Sequence, residues 1–143
     1  MIPFNRPFLA PREREYLIRA VMSGHTSGDG PFTGRATELL TALVGAPAAL
    51  LTTSCTHALE LSGLLLDLQP GDQVIMPSFT FVSTANAYVL RGAVPVFVDC
   101  RPDTLNLDER AVAAAVTSRT RAIVVVHYGG VACEMDAITR LAR

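Results

Sequence analysis

A chain of 143 residues suits one domain, and half of those residues are hydrophobic, enough for a core. The formal net charge of −1 argues against nucleic acid as a main partner. No apolar run reaches the roughly 18 residues of a membrane span, and residues 2–11 form no signal peptide. Cys55, Cys100 and Cys133 are widely spaced and fit reduced cytosolic thiols better than a disulfide or zinc framework. All twelve basic residues are Arg; there is no Lys.

Ile2-Pro3-Phe4-Asn5-Arg6-Pro7 is too rich in proline for regular structure. Pro11 opens a helix predicted to run to about Met22, with Leu17, Ala20 and Val21 on one face. Residues 23–31 carry three glycines and read as a loop, which either closes over a ligand or simply connects two helices. A helix is predicted over residues 34–44, striped by Leu39, Leu40 and Leu43 and ended by Gly45-Ala46-Pro47. Residues 48–51 read as a short strand running into the turn Thr52-Thr53-Ser54-Cys55-Thr56 and a helix start. Residues 59–68 are apolar almost all round, which predicts a buried helix.

Gln69-Pro70-Gly71-Asp72 is a turn. Strands are predicted over residues 73–76, 94–98 and 122–126, and helices over 81–91, 109–116 with Asp108 as cap, and from 136 onward. Strands thus alternate with helices, and their Val/Ile runs are continuous. That pattern predicts an α/β fold with a mostly parallel sheet covered on both faces. Ligands of such sheets sit beyond the carboxyl ends of the strands. The Ser54-Cys55-Thr56-His57 turn, the 77–81 turn and His127-Tyr128 all fall there by connectivity.

Each of these has a plain reading beside the functional one. The turn at Cys55 and Thr56 opens a helix, whose free N–H groups and partial charge of about half a unit suit an anion such as phosphate; the plain reading, and the commoner case, is that Ser54 or Thr56 merely caps the helix. Phe81 could stack on a planar ligand or sit in the core. His127 could donate to a ligand or be a satisfied polar group. His57 lies in a first helical turn, where the dipole disfavours protonation, and no Cys-His pair near Cys55 supports thiol catalysis.

Longer motifs carry a resemblance. Ser54-Cys55-Thr56-His57-Ala58-Leu59, Gln69-Pro70-Gly71-Asp72 running on through Pro77-Ser78-Phe79-Thr80-Phe81, Arg91-Gly92-Ala93-Val94-Pro95, Asp103-Thr104-Leu105-Asn106-Leu107-Asp108 and Val126-His127-Tyr128-Gly129-Gly130 resemble the DegT/DnrJ/StrS family of sugar-nucleotide aminotransferases. Ile2-Pro3-Phe4-Asn5 and Gly28-Asp29-Gly30-Pro31-Phe32-Thr33 look like the narrower subgroup that makes dTDP-4-amino-4,6-dideoxygalactose for surface polysaccharide.

The resemblance implies the amino-terminal part of the fold-type I pyridoxal 5'-phosphate (PLP) transferase large domain. It implies a cytoplasmic homodimer acting on a 4-oxo-6-deoxyhexose nucleotide with an amino acid donor. Carried onto this sequence, it assigns Cys55 and Thr56 to the cofactor phosphate, Phe81 to the cofactor ring, His127 to its surroundings, and Gly28 and Asp29 to the substrate end; it assigns no metal ligand. The Lys that holds the cofactor as a Schiff base has no counterpart among these residues, so no catalytic residue is assigned. The expectation is one incomplete domain, with residues 1–33 as amino-terminal helix and active-site loop and 34–143 as a truncated α/β large domain. Two functions stay open: a sugar-nucleotide aminotransferase in its full-length parent, whether on this or another nucleotide sugar, or a non-catalytic truncated remnant.

Overall fold

The computed structural model describes residues 2–3 and 5–143; Met1 and Phe4, and with Phe4 part of the Ile2-Pro3-Phe4-Asn5 motif, lie outside the described residues. Contacts divide the chain into two units, Met1–Leu51 and Thr52–Arg143.

The first unit holds α1 (Glu13–Met22) and α2 (Pro31–Val44). Glu13 and Glu15 in the first turn of α1 and Arg19 in its last complement the helix dipole. The Tyr16 ring tilts against Phe32 at 5.7 Å, and the Arg35 guanidinium lies 5.3 Å from the Tyr16 centroid. Pro31 occupies a first-turn position behind Gly30, so α2 begins three residues before the sequence prediction, and Gly45 at φ 65° ends it. Residues 48–51 do not form the predicted strand. Their apolar side chains favour extension, but a strand needs a ladder partner, and they have none among the described residues.

The second unit holds α3 (Cys55–Leu65), β1 (Gln73–Pro77), α4 (Val82–Val89), β2 (Val94–Val98), α5 (Glu109–Ala115), β3 (Thr120–Ile123), a single 3-10 turn over Tyr128–Gly130, and α6 (Met135–Leu141). The three strands are parallel in the order β2-β1-β3, with Ile75 opposite Val96 on one side and Ile123 on the other. Strand β3 starts two residues before its predicted position, yet the Val124 N–H still reaches the Ile75 carbonyl at 2.8 Å.

β1 is apolar without a break because both its faces are covered. Val74 and Met76 pack with Leu68, Ala87, Tyr88 and Ala93, while Ile75 packs with Val98, Leu107, Val112 and Ile138 on the other side. Val74, Ile75 and Met76 are all fully buried. The expected parallel sheet with helices on both faces is what the chain forms.

Helix α3 departs from expectation. Gly63 is its one buried residue, and Leu64, Leu65 and Leu66 are exposed. The helix meets α4 where Gly63 has no side chain: a Cβ there would lie 3.5 Å from the Ala87 carbonyl. Beside this contact the Ser62 and Tyr88 hydroxyls pair at 3.1 Å. The leucines face away from that approach, so an all-round apolar pattern reports composition and not burial.

Candidate functional site

Three chain segments meet beyond the carboxyl ends of β1 and β3: the start of α3, the 80–84 corner into α4, and residues 124–128. They line a cleft of about 600 Å³ that includes Cys55, Thr56, Phe81, Ser83 and Tyr128.

At the first wall Ser54 is extended (φ −160°, ψ 161°), and its hydroxyl accepts from the His57 N–H at 3.1 Å while its carbonyl accepts from Ala58 N–H at 3.1 Å. Ser54 is therefore a true cap. The cap serves the third N–H of the helix, and the first two, on Cys55 and Thr56, have no acceptor among the described residues. No acidic residue sits in this first turn to neutralise the dipole. Thr52 steadies the turn by donating to the Ser54 carbonyl at 2.8 Å, and the Thr53 hydroxyl bonds with His57 Nδ1. The exposed His57 ring is thus tied to the turn and lines no part of the cleft.

At the second wall Phe81 is the residue that caps α4, with ψ 147°, and its side chain is 74% exposed. The core alternative for Phe81 does not hold. Beside it the Thr80 and buried Thr84 hydroxyls, which also line the cleft, bond each other at 2.9 Å, so each has a partner.

The third wall differs from the sequence expectation in detail. Tyr128, not His127, lines the cleft. His127 Nδ1 accepts from the Cys133 N–H at 3.1 Å, so in the neutral ring the proton sits on Nε2. The Tyr128 ring tilts on Phe79, with centroids 4.6 Å apart, and its N–H donates to Asn106 Oδ1 at 3.0 Å. Asn106 is buried, and its Nδ2 donates to the Val131 carbonyl at 2.9 Å. In the sequence Asn106 stands only as one letter of the Asp103–Asp108 motif, with no role assigned; its partners are 22 and 25 residues away, and no local signal marks them.

Its loop is braced by charge. Arg101 pairs with Asp103 at 2.9 Å and Glu109 at 3.2 Å. The hydrogen bond from Arg101 holds the Asp103 carboxyl below its ordinary range. Gly28 and Asp29 belong to the first unit. Both are exposed, Asp29 has φ 61°, and the Gly28 carbonyl accepts from His25 Nε2 at 3.2 Å. Asp29 lines a separate cleft of about 420 Å³ with Thr33, Glu38 and Leu50.

A parallel sheet covered on both faces, with an open cleft at its strand ends, defines an α/β ligand-binding class. The model of the DegT/DnrJ/EryC1/StrS aminotransferase family matches residues 8–143, and the chain belongs to that family. It is 41% identical over 142 residues to the spore coat polysaccharide biosynthesis protein SpsC of Bacillus subtilis, covering 99% of this chain and 36% of the relative. Among solved structures, the aminotransferase TlmJ from Streptoalloteichus hindustanus superposes with a TM-score of 0.90 at 39% identity, over 100% of this chain and 39% of that one. NtdA from Bacillus subtilis, solved with bound cofactor PMP, superposes with a TM-score of 0.82 at 33% identity, over 90% of this chain and 29% of that one. The chain thus spans 29–39% of the length of these relatives. The fold is that of fold-type I aminotransferases, as the sequence motifs implied.

Proposed function

We propose that this chain builds the phosphate- and ring-holding part of a PLP site in a sugar-nucleotide aminotransferase. What carries the reading is one arrangement: two unpaired helix-start N–H groups, on Cys55 and Thr56, share a cleft with the exposed ring of Phe81. The residues fit the group. A dianionic phosphate suits a helix start with no acid in its first turn, and about 600 Å³ is within the usual range for a small-molecule site. Bound there, the pyridine ring supplies the electron sink that amino-group transfer needs. The chain's own residues hold the phosphate by main-chain donors, press the ring flat with Phe81, and close one side with Tyr128.

On this reading the substrate is a 4-oxo-6-deoxyhexose nucleotide of the dTDP type, the donor an amino acid such as glutamate, and the working form a cytoplasmic homodimer. The motifs around Gly28 and Asp29 support the substrate class. No helix among the described residues is long and apolar enough to cross a membrane. The amine that holds the cofactor covalently must come from outside these residues, since all twelve basic residues are Arg. That same observation favours a second reading, a chain that seats the cofactor without transferring amino groups. Assaying the protein that carries this chain for amino-group transfer separates the two.

The test of the seat is calorimetric titration with pyridoxamine 5'-phosphate (PMP), which needs no amine to bind. Cys55→Pro removes one N–H at a position where proline suits a helix, and Ser54 already has the extended backbone that a following proline demands. Losing one bond to a charged group should weaken binding by about 10- to 100-fold. Phe81→Ala should weaken it by about 3- to 10-fold. Wild-type affinity in both variants would overturn the reading.

A further inference from the structure

Asn106 does more than satisfy itself. It is 2% exposed, and both ends of its amide are spent on one neighbouring segment. Oδ1 takes the N–H of Tyr128 at 3.0 Å and Nδ2 gives to the carbonyl of Val131 at 2.9 Å, so one side chain grips the residue that opens the 3-10 turn and the residue just after it. The turn has bonds of its own, from Gly130 N–H to the His127 carbonyl and from Val131 N–H to the Tyr128 carbonyl, both at 3.1 Å, but Gly129 and Gly130 at φ 60° and 84° leave it easily deformed, and Asn106 adds a tie from outside it.

The segment presenting Asn106 is itself forced into shape. Leu105, just before it, has φ 60°, a region a leucine disfavours. Two main-chain bonds keep it there, from Leu105 N–H to the Arg101 carbonyl at 2.9 Å and from Arg101 N–H to the Asn106 carbonyl at 2.8 Å. Backbone strain of this kind persists where surrounding structure fixes it. Here its result is that a polar side chain points inward to the segment behind the cleft.

Tyr128 is what that grip positions. Its N–H is shared between Asn106 Oδ1 and the Val126 carbonyl, each at 3.0 Å, its ring lies 4.6 Å from Phe79, and its hydroxyl has no partner among the described residues. We propose that Asn106 is a positioning residue that sets Tyr128 on the cleft wall, where the phenol meets a polar group of the ligand held by Cys55, Thr56 and Phe81. This rests on the cofactor-site reading above for the identity of the ligand, but not for the grip itself.

The experiment is a double-mutant cycle on the whole protein carrying this chain, read by PMP titration and by hydrogen exchange at the Tyr128 amide. Asn106→Ala should speed exchange at that amide and weaken PMP binding, each by about tenfold. In a Tyr128→Ala background the same substitution should change PMP affinity by less than about twofold, because coupled residues are not additive. Phe79→Ala, a surface change that leaves no polar group stranded, should show the same dependence on Tyr128 and serves if Asn106→Ala fails to fold. Equal losses with and without Tyr128, or wild-type affinity in Tyr128→Ala, would overturn the proposal. If the wild type binds no PMP, the cofactor reading fails; unchanged exchange at the Tyr128 amide in Asn106→Ala would then overturn the grip independently.

Discussion

Asp108 joins two stabilising effects in one carboxylate. It accepts from the Arg110 N–H at 2.9 Å, capping α5, and from Arg110 Nε at 3.3 Å. The side-chain bond from Arg110, then the main-chain one, holds its carboxyl below the ordinary range. A carboxyl depressed in the folded state stabilises above its unfolded value, about 3.9, and that contribution is lost as pH falls through the lower folded value. Urea unfolding followed across acid pH should therefore show a shallower loss of stability in Asp108→Ala than in the wild type; identical acid limbs would remove this role. The cap was legible because both partners sit within two residues of each other. Asn106 was not, since nothing in Asp103-Thr104-Leu105-Asn106 reveals a partner at Tyr128 or Val131. The choice between His127 and Tyr128 was equally closed to sequence. Neighbours in a turn point different ways, and only the bond from Cys133 shows that His127 is engaged elsewhere.

Among the elements, β1 carries the second unit. Ile75 touches one core and its neighbours Val74 and Met76 the other, so no β1 side chain can yield without opening a cavity. Ile75→Ala should cost about 2–5 kcal/mol, a large part of a typical domain's stability. Leu65→Ala, on the exposed side of α3, should stay within about 0.5 kcal/mol of wild type. Chemical denaturation of the two variants checks the contrast, and comparable losses would show that α3 is covered after all. Continuous Val/Ile runs bounded by Gly and Pro made β1 and β2 readable almost to the residue. The same reasoning overreached at residues 48–51, where propensity was present and a ladder partner was not. It overreached again at α3, where Leu content implied burial that only a facing element can supply.

At the scale of the molecule, composition promised more core than the described residues contain. Leu39 and Leu43 on α2, Leu64 and Leu65 on α3 and Phe97 on β2 are all exposed, the last at 54%. Apolar surface of this extent marks interfaces, and β2 and β3 each end the sheet with an edge open to pairing. Prepared by itself, the 143-residue chain should self-associate as its concentration rises, visible by light scattering. A monodisperse monomer with a single cooperative melt would contradict this. Fold class was readable here because strand–helix alternation is a long-range regularity written in local letters; partners lying outside a segment leave no such trace.

The cleft's three walls hang on separate supports: a cap at Ser54, a corner at Phe81, and a strand end followed by the gripped turn at Tyr128. None is a continuation of another, so damage stays local: removing the Ser54 hydroxyl would loosen the start of α3 and leave the corner at Phe81 and the tie between Asn106 and Tyr128 in place.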